Sequence, residues 1–299
     1  MISACELCPR RCGVVREDTL PSGGVCGMPA LPTVARAALH FGEEPCISGK
    51  NGSGTVFFSG CSLGCVFCQN EKISHERYGE SVSAERLAEI FRELVSQGAH
   101  NINLVSPTPY VPVIKEALAI YKPPVPVVYN TSGYERPETI RSLNGFVDVF
   151  LPDLKYHSSE LALTLSKAAD YPDVALAAIR EMVALSGPVV MDSEGMVQKG
   201  TIVRHLVLPG HTRDSMEVLR CLATEFRDTV YLSLMFQYTP LKELEDPTLN
   251  RRLTKRECDK MIDFTLSLGF ENGYIQERTS SGVGYIPCFD LTGVKKQNN

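Results

Sequence analysis

Cys61, Cys65 and Cys68 stand in the run Gly60-Cys-Ser-Leu-Gly-Cys-Val-Phe-Cys-Gln-Asn70, directly after the apolar stretch Thr55-Val-Phe-Phe58. This Cys-x3-Cys-x2-Cys loop supplies three thiolates at a strand end, one fewer than a closed metal site uses. Structural zinc and ordinary iron–sulfur sites close with four protein ligands, whereas a catalytic centre keeps a position open. Three thiolates around a cubane leave one iron free to bind and reduce something. With 11 Cys in 299 residues, chance is a poor explanation of that spacing.

Four further thiols, Cys5, Cys8, Cys12 and Cys26, lie in the first 26 residues. Four suffice to close a zinc site or a second [4Fe–4S] cluster, and spacing alone leaves both open. A short segment without an apolar core of its own gains order from such a metal. Arg10 and Arg11 place positive charge beside those thiolates. Cys46, Cys221, Cys258 and Cys288 are isolated, and buried, inert thiols are expected there.

The central loop resembles the signature of the radical S-adenosylmethionine (SAM) superfamily. That resemblance implies a [4Fe–4S] cluster on Cys61, Cys65 and Cys68 whose open iron chelates the amino and carboxylate groups of SAM. It also implies reductive cleavage to a 5′-deoxyadenosyl radical that abstracts hydrogen. Phe67 before the third Cys and Asn70 after it look like the activating enzymes of glycyl-radical enzymes, the pyruvate formate-lyase type. The likeness runs in patches from Val56 to Gln237.

These residues need elements to position them. Short apolar, β-branched runs predict strands at Thr55–Phe58, Asn101–Val105, Val125–Tyr129, Val147–Leu151, Ile202–Leu208 and Val230–Met235. Between them, helical spacing predicts helices at Ser83–Gln97 with Ser83 as N-cap, Val111–Ala119, Pro137–Leu143, Pro172–Leu185 and Thr212–Phe226. A last helix, Thr254–Leu268, should stop at Gly269. Residues 1–50 read as a loop-dominated, cysteine-rich, metal-binding segment, and 51–299 as the main domain with a C-terminal extension. Alternating strands and helices make an α/β fold with a parallel sheet. The resemblance implies a partial (β/α)6 radical SAM barrel, and in barrels the chemistry sits on the loops after the strands.

At those strand ends the residues are polar. Ser106-Pro-Thr-Pro-Tyr110 follows the second strand, where activases carry Gly-Gly-Glu-Pro to meet the SAM amino group. The glycines and the acid are absent, and Ser106 and Thr108 offer oxygen acceptors instead. Asn130-Thr-Ser-Gly133 resembles the activase Asp-Thr-Asn-Gly turn, which places Asn130 and Thr131 beside the cofactor. In Val147-Asp-Val-Phe-Leu-Pro-Asp-Leu-Lys155, Asp153 and Lys155 share one face. If that face is interior, the two charges must pair with each other or with a charged ligand. The same Asp-Leu-Lys in activases implies that Asp153 helps a cation or hydrogen-bond site and that Lys155 approaches the SAM carboxylate. Arg204 interrupts an apolar strand with a guanidinium suited to a carboxylate, and the resemblance makes it a SAM ligand. His205 is out of phase and should pack outward. Gln237 stands where activases place a histidine near the adenosine.

Hydrophobic content of 43% and charged content of 22% are those of a globular chain. A net charge of −5 argues against general nucleic-acid binding. No apolar run spans a membrane, and the first residues lack a signal-peptide core, so a cytoplasmic location is expected, where many Cys mean metal rather than disulfides. The implied partners are a one-electron donor of flavodoxin or ferredoxin type and a glycyl-radical enzyme. Another peptide or a small metabolite as substrate, and a non-catalytic iron–sulfur or zinc protein, are the alternatives.

Overall fold

The protein, a computed structural model, is described over residues 1–276 and 287–296 of the 299, so part of the C-terminal extension lies outside the described residues. Its strands are β1 (Thr33–His40), β2 (Ser53–Phe58), β3 (Glu80–Ser81), β4 (Ile102–Val105), β5 (Val127–Thr131), β6 (Val149–Pro152), β7 (Val190–Met191), β8 (Val197–Leu206), β9 (Tyr231–Met235) and β10 (Gly273–Ile275). Its helices are α1 (Pro45–Ser48), α2 (Glu71–Ser74), α3 (Ala84–Ser96), α4 (Val111–Ile120), α5 (Pro137–Arg141), α6 (Ser159–Ser166), α7 (Tyr171–Ser186), α8 (Thr212–Phe226) and α9 (Lys255–Ser267).

All six expected strands and all six expected helices form, with ends displaced by a few residues. The sheet runs β10-β9-β8-β6-β5-β4-β2-β1-β3, and every pair from β2 to β10 along that path is parallel. The six barrel units are therefore present, and β10 extends the parallel edge. β1, which with the short α1 interrupts the loops of the first fifty residues, pairs antiparallel with β2, and β3 adds outside it. The sheet is an open, partial barrel.

Local chemistry explains the elements. The Ser83 hydroxyl accepts from the Arg86 N–H at 3.3 Å and caps α3. Leu87, Ile90, Phe91 and Leu94 then recur on one buried face, each worth roughly 1.5–3 kcal/mol when removed from water. β4 is buried along its whole length, as a parallel strand covered on both faces must be. At α9 the Thr254 side chain and Glu257 form a reciprocal capping box, and Gly269 follows with φ +77°.

Among the isolated thiols, Cys46 and Cys258 are buried, but Cys221 is half-buried and Cys288 is exposed. The expectation of burial fails for the last two. Cys221 sits on the partly wet flank of amphipathic α8, and Cys288 lies in an exposed loop.

Candidate active site

The loops after β2, β4, β5, β6, β8 and β9 converge on one cavity of about 250 Å3. Cys61, Cys65, Phe67, Cys68, Ser106, Asn130, Thr131, Asp153, Lys155, Arg204 and Gln237 all line it, so every expected residue of the central site but Thr108 meets there. The reason is topological: parallel strands point their C-terminal ends one way, so consecutive loops share a mouth. Thr108 falls behind the wall, donating to the buried Glu135 at 2.5 Å. His205 is buried outside the cavity, with Nδ1 2.7 Å from the Leu154 carbonyl.

Each of the three sulfurs receives a hydrogen bond. The Leu63 N–H donates to Cys61 Sγ at 3.4 Å, the Ser166 hydroxyl to Cys65 Sγ at 3.0 Å, and the Ser74 hydroxyl to Cys68 Sγ at 3.2 Å. Such donors stabilise thiolate and tune the potential of a centre that it ligates. Burial nonetheless pushes the Cys65 thiol up to about 12, with Lys155 opposing, so metal binding here must release protons. The donor set is soft, one-sided and open to the cavity, which fits a cubane held by three thiolates. Among the described residues, no three His, Cys, Asp or Glu side chains are drawn together to grip a single ion.

Opposite the sulfurs stands a charged group. Lys155 Nζ lies 2.5 Å from Asp153, whose other oxygen takes Arg204 Nε at 2.9 Å. Arg204 also donates to Asn130 Oδ1 at 2.6 Å and reaches Glu43 at 3.4 Å. Burial would raise the Asp153 pKa, but Arg204 and Lys155 outweigh it and hold the carboxyl below its usual value. The reciprocal effect raises Arg204 and Lys155, chiefly through Asp153, against burial.

Sequence reasoning missed Glu43. It follows β1 and enters the cavity from outside the six βα units. Its carboxylate accepts from Asn103 Nδ2 at 3.1 Å and Asn130 Nδ2 at 3.5 Å. Burial pushes it up to about 7, because Arg204 spends its closer contact on Asp153. Neighbouring Glu44 is buried with one oxygen lacking a partner. The absent acid at the Ser106 turn was the available signal, together with an acid pair beside a glycine. Missed too was Tyr171, whose hydroxyl binds the Ser132 and Asp153 carbonyls at 2.8 and 2.9 Å and accepts from Lys155 N at 3.0 Å. It locks the Asn130 turn to the Asp153 strand end. Gly133, at φ +79°, is required there: a Cβ would lie 2.2 Å from the Asp153 carbonyl oxygen.

An open parallel barrel with three thiolates and a buried charged group at one mouth defines a cluster-dependent, SAM-type site. The chain belongs to the radical SAM superfamily, whose family model matches residues 55–222. It is 31% identical over 268 residues to the protein MJ0674 of Methanocaldococcus jannaschii, covering 87% of this chain and 73% of that one. A radical SAM methyltransferase from Sphaerobacter thermophilus shares the fold with TM-score 0.52 and 16% identity, over 75% of this chain and 66% of that chain. SuiB of Streptococcus suis, solved with SAM bound, gives TM-score 0.49 and 14% identity over 73% of this chain, which spans about half (48%) of SuiB. Among the described residues no helix is long and apolar enough to cross a membrane.

Proposed function

We propose that this chain binds SAM in the cavity beside a [4Fe–4S] cluster on Cys61, Cys65 and Cys68 and abstracts hydrogen from a glycine Cα of a partner glycyl-radical enzyme. When bound, the cluster supplies one electron to the SAM sulfonium, giving methionine and a 5′-deoxyadenosyl radical. The observation that carries SAM binding is the convergence of the three thiols with Arg204, Lys155, Asp153 and Glu43 in one cavity; the glycine substrate rests on the likeness of the Phe67 and Asn70 positions to glycyl-radical activating enzymes.

The residues divide the work by charge. Arg204 and Lys155 offer donors to the SAM carboxylate, with Asp153 holding both in place. Glu43 accepts the ammonium, taking the place of the acid that the Ser106 turn lacks. Glu43 and Glu44 lie within electrostatic reach of Arg204, and an ammonium bound beside Glu43 favours its ionised form. Phe67, stacked edgewise on Tyr238 at 6.0 Å, and Gln237 offer a face and an amide to the adenosine. The apolar side chains of Leu206 and Met235 at the same wall keep water from the radical.

Anaerobic incubation with SAM and dithionite tests this. Release of 5′-deoxyadenosine by the wild type, lost in Cys61→Ser, supports the enzyme; an intact cluster with no cleavage identifies a non-catalytic carrier. Deuterium transfer from glycine-labelled partner protein to deoxyadenosine supports the glycyl-radical substrate. Transfer from another peptide or a metabolite reassigns it.

A further inference from the structure

We propose that Cys5, Cys8, Cys12 and Cys26 hold a second [4Fe–4S] cluster that passes electrons to the centre on Cys61, Cys65 and Cys68. The four thiols come from loops folded around one another. Cys5 N–H donates to the Val14 carbonyl at 2.9 Å, Gly13 N–H to the Cys5 carbonyl at 3.0 Å, and Arg11 N–H to the Cys8 carbonyl at 3.1 Å. Cys8 lies within electrostatic reach of Cys12 and Cys26, and Cys26 within reach of Cys5 and Cys12.

Their sulfurs already receive main-chain hydrogen bonds of the kind a metal-bound thiolate accepts. Main-chain N–H groups serve Cys8 from Arg10 and Cys26 from Met28, two residues on in each case. The same two-residue pattern serves Cys61 from Leu63 and Cys68 from Asn70 in the central loop. Val25 N–H serves Cys12 Sγ at 3.4 Å.

A second observation points to a negative centre. Arg16 is 1% exposed, and its guanidinium meets the Met28 and Pro29 carbonyls, at 3.1 and 2.5 Å, Cys5 Sγ at 3.6 Å, and the Tyr110 ring. Among the described residues it has no carboxylate. A guanidinium keeps its charge at any working pH, and burying it unpaired is costly. Metal-bound thiolates beside it supply the missing counter-charge.

The link to the first centre is short. Arg10, two residues from Cys8, donates Nε to the Ser62 carbonyl at 2.9 Å and Nη1 to the Lys167 carbonyl at 2.7 Å. Ser62 adjoins Cys61, and Ser166, beside Lys167, donates to Cys65 Sγ. This connection packs the outer thiol segment against the loop that carries the inner thiols. Cys8, Cys12 and Cys26 are only half-buried, so the outer centre stands where a carrier protein can reach it. One electron leaves a reduced ferredoxin- or flavodoxin-type carrier, reduces the outer cluster, and moves on to the inner one; no bond forms or breaks at the outer site.

The direction of electron flow rests on the proposed function; the metal content does not. Full-length protein reconstituted anaerobically should carry about eight iron and eight sulfide per chain. Cys8→Ser/Cys12→Ser and Cys61→Ser/Cys65→Ser/Cys68→Ser should each lose about half. In the second variant, dithionite should produce a reduced-cluster electron-spin signal that SAM leaves unchanged. Wild-type iron content in Cys8→Ser/Cys12→Ser, one zinc in place of iron at that site, or a silent spectrum in the Cys61→Ser/Cys65→Ser/Cys68→Ser variant each overturns the site. With a carrier protein as reductant, Cys8→Ser/Cys12→Ser should lose deoxyadenosine formation that dithionite restores; equal rates with either reductant overturn the relay.

Discussion

Replacing Glu43 by Gln separates its charge from its shape. In the protein this carboxyl stands at about 7 because burial outweighs Arg204, while Glu44 and Asp153 push the same way as burial. Only the ionised form attracts the SAM ammonium, and below pH 7 that amino group stays charged, its ordinary value being about 7.7–8.0. Between pH 7 and pH 6 the ionised fraction of Glu43 falls from about one half to about one tenth. SAM affinity should therefore fall roughly fivefold, about 1 kcal/mol, over that unit. Glu43→Gln removes a charge-assisted contact worth about 1.5–3 kcal/mol, so with half of Glu43 ionised at pH 7 affinity there should drop roughly sevenfold or more, and its dependence on pH should flatten. His40, which also lines the cavity, is held below its usual value by burial and Arg36 and is common to both proteins. Equilibrium binding of SAM to reconstituted, unreduced protein measures both effects. A Glu43→Gln protein that binds as tightly as wild type, with the same slope against pH, refutes the assignment.

Three other substitutions probe the frame. Gly133→Ala drives a methyl into the Asp153 carbonyl at a left-handed backbone position, so SAM affinity and stability should both fall, the latter by about 2 kcal/mol or more; unchanged denaturation would show that the β6 strand end yields freely. Ser106 holds φ 58°, a conformation costing a side chain about 1–2 kcal/mol, so Ser106→Gly should raise the denaturation midpoint, and a lowered midpoint would mean that the hydroxyl contributes more than the strain. Glu135 accepts from Thr108, Thr131 and Tyr129 on one oxygen, while the other is buried without a partner. Burial pushes it from 4.5 up to about 7. Because the folded state holds this proton longer than the unfolded one, stability is lost as pH rises from about 4.5 to about 7, by up to about 3 kcal/mol. Glu135→Gln should then be the more stable protein at pH 8, by about 2 kcal/mol after the cost of an unpaired amide, with little advantage at pH 5. Denaturant curves that stay parallel at both pH values would contradict this.

How much was legible follows from which interactions are local. The cysteine loop, the strand-end polar residues and the βα rhythm are all carried by spacing along the chain. Parallel topology then gathers the loop residues without further instruction. Arg204 and Asp153 were readable because a charge inside an apolar strand must find a partner. Glu43, Tyr171 and Ser166 were not, since each acts across a long separation: Ser166 meets Cys65 101 residues away, and Glu43 meets Arg204 161 residues away. The acid pair beside Gly42 hints at Glu43, but nothing along the chain names the partner that any of the three will meet. α6, which carries Ser166, was absent from the expected helices, and β1, which carries the chain to Glu43, from the expected strands.

By itself the sequence determined a three-thiolate loop, an α/β domain of six units, and which charges must be paired inside it. Only the tertiary structure decided that Glu43 joins the cavity beside Arg204, and that the outer thiol segment sits against the inner loop through Arg10. The cause is physical: thiol spacing and strand patterning are written in consecutive residues, whereas burial and charge compensation arise when distant segments pack and exclude water.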